Sequence, residues 1–377
     1  MQRYIDEGKI AGVSTLAIRL GEVIHSGYYG MLDIEAGKPL QPDSIFRIYS
    51  LTKPITAFAL MMLIEEGNLK LDDPISRYFP ELGQMKVYSG NLEGEPTFEE
   101  SEQEITIWHL LTHTSGLAYG YGVDDHPVEK MYQGAGFVND KAMWQMSLEE
   151  MILTLADLPL ATQPGVEWRY SLANDVIGHL IQVVTDKPLE SFLQESVFEP
   201  LEMADTGFFV PDEKRERFGP MYSTPQEGEI SVVDSGTDSP YLDPDVAPSG
   251  GAGLVSTMSD YSHFLTCLAN GGEWRDVRLL SRNTIRKMTS NQLTDKHLPI
   301  FSEPWSGLGY GLGVGVEVAH LPDQGLPAGT YGWQGGSGVS AWISPKESIS
   351  TLVMSQAMFY LEPANAFQKL VYEAIRN

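Results

Sequence analysis

The tetrapeptide Ser50-Leu51-Thr52-Lys53, followed by Pro54 and the apolar run 55–64, constrains the fold more than any other segment of this chain. Proline fits only in the first turn of a helix, so a helix starts at Ser50 or Leu51. Gly67 and Asn68 end it. The extended run 44–49 leads in, which puts Ser50 at the cap position between a strand and an amphipathic helix. Serine and lysine three apart at a helix start lie on one face, within reach of each other. A neutral lysine there can take the serine proton, and the positive end of the helix favours an alkoxide. Locally, an N-cap serine with a surface lysine one turn on fits the same letters. The rest of the chain decides between the two.

Strand signals sit at both ends of the sequence. Residues 13–19 and 22–29 alternate well and are split by Leu20-Gly21, which reads as a β-hairpin. Residues 309–318 read as one strand. Residues 338–343 and 349–356 form a hairpin around Ser344-Pro345-Lys346-Glu347. Helical patterns at 105–113, 147–157, 174–184, 259–270 and 281–291 lie between, and a last helix covers 363–376. Residues 83–104 are polar, and 117–147 and 211–249 read as long loops able to line a pocket. The expected fold is α+β: an antiparallel sheet flanked by helices and built from both termini, with a mainly helical lobe inserted. The expected domains are 1–75 with 255–377, and 76–254.

A chain of 377 residues with a net charge of −26 is repelled by nucleic acid and by anionic membranes, so neither is an expected partner. The single cysteine, Cys267, excludes an internal disulfide framework and reads as a buried structural thiol. The N-terminus lacks a basic-then-apolar signal pattern, and no apolar run approaches the length of a membrane span. A cytoplasmic location is the expectation. His109 and His113 are four apart, but Leu110 stands where a zinc-protease helix carries glutamate, and no third ligand is evident. No metal and no cofactor is expected. The nucleophile elbow G-x-S-x-G does not occur.

Two further segments carry chemistry. Trp168-Arg169-Tyr170-Ser171-Leu172 places a phenol just before a helix and after a Pro-Gly turn, where it can hand a proton to a leaving group. Tyr331-Gly332-Trp333-Gln334-Gly335-Gly336-Ser337-Gly338 precedes the C-terminal hairpin. Glycines on an edge strand let a substrate approach the backbone, whose N–H can serve an oxyanion.

With Ile107-Trp108-His109-Leu110-Leu111-Thr112-His113-Thr114-Ser115-Gly116-Leu117 and Pro248-Ser249-Gly250-Gly251-Ala252-Gly253-Leu254-Val255-Ser256-Thr257, these ordered segments resemble the serine β-lactamase/penicillin-binding-protein superfamily. Within it the chain is most similar to the class C-like carboxylesterases (family VIII esterases), with related acyltransferases close by. The resemblance implies a β-lactamase/transpeptidase-like fold. It implies Ser50 as nucleophile, Lys53 as general base, and Tyr170 as the group that assists the base and protonates the leaving group. Which of the two is the primary base stays open. The backbone N–H groups of Ser50 and Gly336 match the oxyanion donors. Trp333 and Gly335 stand where lactamases carry the ends of Lys-Thr-Gly, and Leu172 stands where an amide is expected. Both departures favour an ester with an apolar part over a ligand with a fixed anion. Tyr119 and Tyr121, with Tyr132, Phe137, Trp144 and Trp305, are candidate pocket walls. The expected ligand is a small-molecule ester, and the expected activity is serine carboxylesterase. A β-lactamase, an acyltransferase and a binding or scaffold protein of the same superfamily are the alternatives.

Overall fold

The computed structural model describes residues 1–92, 94–120, 125–137, 145–224, 229–294, 297, 307–319 and 326–376. Its centre is an eight-stranded sheet in which every neighbouring pair is antiparallel. The spatial order is Leu308–Tyr310, Gly315–Glu317, Tyr331–Gly335, Val339–Ser344, Ile349–Ser355, Gly12–Arg19, Glu22–Asp33 and Lys38–Pro39. Both ends of the sequence therefore contribute to one sheet, joined where Val13 faces Ser355 and Arg19 faces Ile349. The N-terminal hairpin turns at Leu20 and Gly21, whose φ values of +52° and +83° suit the tight turn that matches strand twist.

All seven residues of Ile349–Ser355, and all but the last of Gly12–Arg19, are buried. Alternate side chains point to opposite faces, so both faces of the sheet are covered. The amphipathic helix Glu362–Arg376 packs on these two strands, and the helix Met258–Ala269 packs on Val339–Ser344 and Ile349–Ser355. Cys267 lies buried in the second helix. Among the helices from the middle of the chain, Ile107–Leu111 and Leu148–Ala156 pack on Ala173–Thr185, which packs on Thr52–Glu65. That last helix is not the amphipathic one expected. Eleven of its residues are buried, Lys53 among them, because it runs through the centre with neighbours on all sides.

Five other readings change. Ser50 is not a helix cap: residues Tyr49–Leu51 form a 3₁₀ turn, and the cap position falls on Leu51. Residues 309–318 form two strands, because Gly313 takes φ +84° and Gly311 N–H closes the turn on Val314 O. The polar stretch 83–104 holds the hairpin Lys86–Leu92 and Glu95–Glu100, and the 117–147 segment holds the helix Pro127–Gly134. The 211–249 segment is no loose loop either. Phe218, Tyr241 and Leu242 form a small apolar cluster with Ile45, Val210 and Val255. Among the described residues, no helix is long and apolar enough to cross a membrane.

Candidate active site

The short strand Ile45–Arg47 pairs with Val255–Thr257 and delivers the chain to Ser50 through Tyr49, a non-glycine residue at φ +43°. A side chain in this backbone region is uncommon and strained. One turn into the following helix, Lys53 is fully buried, and its Nζ donates to Ser50 Oγ at 3.2 Å and to Gly251 O at 2.9 Å. Tyr170 arrives from the segment before Ala173–Thr185, and its hydroxyl donates to the same Ser50 Oγ at 2.7 Å. Three groups separated by up to 120 residues in sequence thus converge on one oxygen. Lys53 Nζ also lies 4.6 Å from the Tyr170 ring centroid and 5.3 Å from that of Tyr119.

Lys53 and Tyr170 are each held by a network in which motif residues meet groups from outside the motifs. Gly251, which accepts from Lys53, donates its N–H to buried Asp175 at 3.0 Å, and Ser249 Oγ donates to the same carboxylate oxygen at 2.5 Å. Burial pushes the Asp175 carboxyl up, and the charge of Lys53 pulls it back. Gly250 and Gly251 leave little room for a side chain: a Cβ at Gly250 would sit 2.4 Å from Asn174 O, and one at Gly251 would sit 2.5 Å from Asp175 Oδ2. Thr56 Oγ1 donates to Gly250 O and Asn174 Nδ2 to Lys53 O, which completes the brace.

Tyr170 is fixed from below and from the side. Buried His113, at φ +54°, accepts Arg169 N–H on its carbonyl, and its Nδ1 shares a hydrogen bond with Ser171 Oγ at 3.0 Å. Its ring centroid lies 5.0 Å from that of Tyr170. Burial, helped by the charge of Lys53, pulls the His113 imidazolium well below the usual histidine range, so the ring is neutral. His109 serves the capping box of Ile107–Leu111 instead, accepting Thr106 N–H on Nδ1. Among the described residues, no group of three or more His, Cys, Asp or Glu side chains is arranged to hold a metal ion.

Trp333 is buried, and its Nε1–H donates to Tyr170 OH at 3.3 Å. Its strand, Tyr331–Gly335, pairs with Gly315–Glu317 only through Tyr331 and Gly332. The Gly335 end of the strand docks on the Ser50 turn: a Cβ at Gly335 would lie 2.4 Å from Ile48 O. Ser337 Oγ donates to Arg47 O at 2.5 Å, tying the following turn to the same strand. Gly336 lies between these two contacts.

Of the expected pocket walls, Tyr119 stacks on Tyr170 at 5.3 Å with planes 7° apart. Buried Glu129 anchors it, accepting Tyr119 N–H at 3.4 Å and Gly120 N–H at 2.7 Å, with Arg169 at 3.5 Å from the carboxylate. Leu172 is buried, and its N–H donates to Ala118 O. Tyr132 and Phe137 are packed in the core. Tyr121, Trp144 and Trp305 lie outside the described residues. Asp175 and Glu129 escaped the sequence reading. An aspartate in the first turn of Ala173–Thr185 looks like an ordinary helix-dipole partner, and Glu129 falls in a stretch read as loop.

The mixed α/β fold and the ordered motifs define a class, and comparison with known proteins agrees: the Beta-lactamase family profile matches residues 1–372, so the chain belongs to that family. It is 34% identical to Protein Rv1367c of Mycobacterium tuberculosis over 94% of this chain and 88% of that protein. It is 33% identical to Esterase EstB of Burkholderia gladioli over 71% of this chain and 68% of EstB. Among solved structures, EstCE1, described as a hydrolase with promiscuous acyltransferase activity, superposes with a TM-score of 0.82 at 29% identity. That match covers all of this chain and 96% of EstCE1.

Proposed function

We propose that the protein is a serine carboxylesterase that hydrolyses short- to medium-chain esters through an acyl-enzyme on Ser50. The observation that carries this reading is the convergence of Lys53 Nζ and Tyr170 OH on Ser50 Oγ, at 3.2 and 2.7 Å. Distances of this order are those across which a proton passes directly. In the first half-reaction the Ser50 oxygen bonds to the ester carbonyl carbon while its proton goes to the Lys53–Tyr170 pair. The carbonyl oxygen takes up the electron pair and rests on the backbone N–H groups of Ser50 and Gly336. Collapse breaks the bond to the alcohol oxygen, which leaves with a proton from Tyr170. Water then adds to the acyl carbon, gives its proton to the same pair, and Ser50 departs reprotonated.

Trp333 supports the ester over a β-lactam. It fills the position of a carboxylate-binding cation with a buried indole whose N–H is spent on Tyr170. A second reading, acyl transfer, draws on the EstCE1 description: an alcohol or amine in place of water in the second half-reaction would give a new ester or amide. The test is turnover of a short-chain p-nitrophenyl ester by the wild type and by Ser50→Ala, with a chromogenic cephalosporin alongside. Ester turnover abolished in Ser50→Ala, with slow or no cephalosporin turnover, is the expected result. Rapid cephalosporin turnover moves the protein to the lactamase branch. Product that partitions toward an added alcohol at millimolar concentration identifies a transferase.

A further inference from the structure

We infer that Phe359 is a specificity-determining residue of this site, its ring forming the wall against which the apolar substituent of the ester packs beside Gly336. The inference rests on the Ser50 reading above. After Ile349–Ser355 the chain makes one turn before the Glu362–Arg376 helix, and that turn is pinned on all sides. Ala357 N–H donates to Ser337 O at 3.0 Å, Met358 N–H to Tyr222 O at 2.8 Å, and Phe359 N–H to Gly336 O at 2.6 Å. Thr224 Oγ1 donates to Met358 O at 3.0 Å. On this fixed frame Phe359 stands at φ +54° and is 68% exposed. Its ring lies against the α-carbon of Gly336: a Cβ there would be 3.0 Å from Phe359 Cε1 and 3.5 Å from Cδ1.

Among the described residues, the packing gives little reason for phenylalanine here. The left-handed backbone favours glycine or asparagine. A ring two-thirds in water contributes little burial. A glycine would make the same N–H bond to Gly336 O without the strain. Residues held against their conformational preference cluster at ligand sites, and so do exposed apolar side chains beside clefts. Phe359 combines a strained backbone with an exposed apolar ring. It touches the glycine whose neighbour, Gly335, closes on the carbonyl of Ile48, two residues before Ser50. An ester carbonyl bound between Ser50 and Gly336 therefore brings its own substituent past this ring. The π-face is electron-rich, so it welcomes alkyl and aryl groups and disfavours a carboxylate.

The experiment compares kcat/KM for two series: p-nitrophenyl esters of increasing acyl length, and acetate esters of increasingly bulky alcohols. Phe359→Ala is expected to lower kcat/KM for the bulkiest members of one series about 10-fold, the scale of one lost apolar contact. The smallest member should change less than 2-fold. The series that responds tells which side of the ester meets the ring. Phe359→Leu should keep most of the selectivity. Phe359→Gly should lose it with no fall in Tm, since glycine accepts the left-handed backbone. Equal loss across both series, or unchanged ratios in a folded variant, overturns the inference. Absence of any Ser50-dependent turnover in the wild type is a separate result, and it removes the esterase reading itself.

Discussion

Replacing Trp333 by Phe separates two roles for the indole. The motif alone makes Trp333 a substrate-contacting residue, whereas the structure spends its N–H on Tyr170 OH at 3.3 Å, which in turn donates to Ser50 Oγ at 2.7 Å. Phenylalanine keeps the aromatic packing against Tyr170, whose ring centroid lies 5.7 Å away, and removes the donor. If the tyrosine oxygen carries developing negative charge while it relays protons, the lost bond is worth about 1.5–3 kcal/mol, the range for hydrogen bonds to charged groups. That converts to a rate loss of roughly 10- to 150-fold. The assay is steady-state hydrolysis of a p-nitrophenyl ester, with Tm measured in parallel to set aside any packing defect. A donor acting on Tyr170 in the transition state lowers kcat and kcat/KM together. An indole that only binds substrate raises KM and leaves kcat alone. A folded Trp333→Phe variant with kcat within 2-fold of wild type refutes the relay argument.

Two further substitutions follow from geometry elsewhere. Glu317 is buried with Oε2 lacking a hydrogen-bond partner among the described residues, and burial pushes its carboxyl from 4.5 up to about 7. The folded state therefore holds this proton more tightly than the unfolded chain. Stability falls as pH rises from about 4.5 to 7, by up to about 3 kcal/mol, or roughly 4 °C in Tm for a chain of this size. Glu317→Gln should flatten that slope in a Tm-versus-pH series, and an unchanged slope would sink the assignment. Gly335→Ala forces a Cβ to within 2.4 Å of the Ile48 carbonyl, so the strand must move off the Ser50 turn. The expected cost is about 1–3 kcal/mol in stability by denaturant titration. Activity should drop about 100-fold, because small misplacements of reacting groups are that expensive.

Legibility in the sequence followed pattern strength. The N-terminal hairpin was readable because residues 13–29 alternate and Leu20-Gly21 marks the turn. The hairpin Lys86–Leu92 with Glu95–Glu100 was not, since it is largely exposed and carries no apolar face to give it a period. The helix after Ser50 is legible from Pro54 and the apolar run, but the sequence puts the cap at Ser50 rather than Leu51, because a 3₁₀ turn and a helix N-terminus begin with the same letters. Tyr119 was singled out only for being aromatic, and its stacking on Tyr170 depends on Glu129, a contact between segments that no local rule connects. Asp175 and Gly251 meet 76 residues apart in sequence, which only the folded chain reveals.

The sheet that carries Trp333 is closed by a strand that pairs with the first one, and Ser355 Oγ reaches back to Gly12 O across 343 residues of sequence. During synthesis at about 5–20 residues per second, the Gly12–Arg19 strand emerges roughly 20–70 s before its partner. For that interval its apolar faces and one row of backbone donors and acceptors have no neighbour of their own. An arrested or truncated product lacking residues 349–355 would keep Ser50, Lys53, Tyr170 and Trp333 and yet present an open, sticky edge. The first strand is therefore the longest-exposed aggregation hazard of the sheet during synthesis.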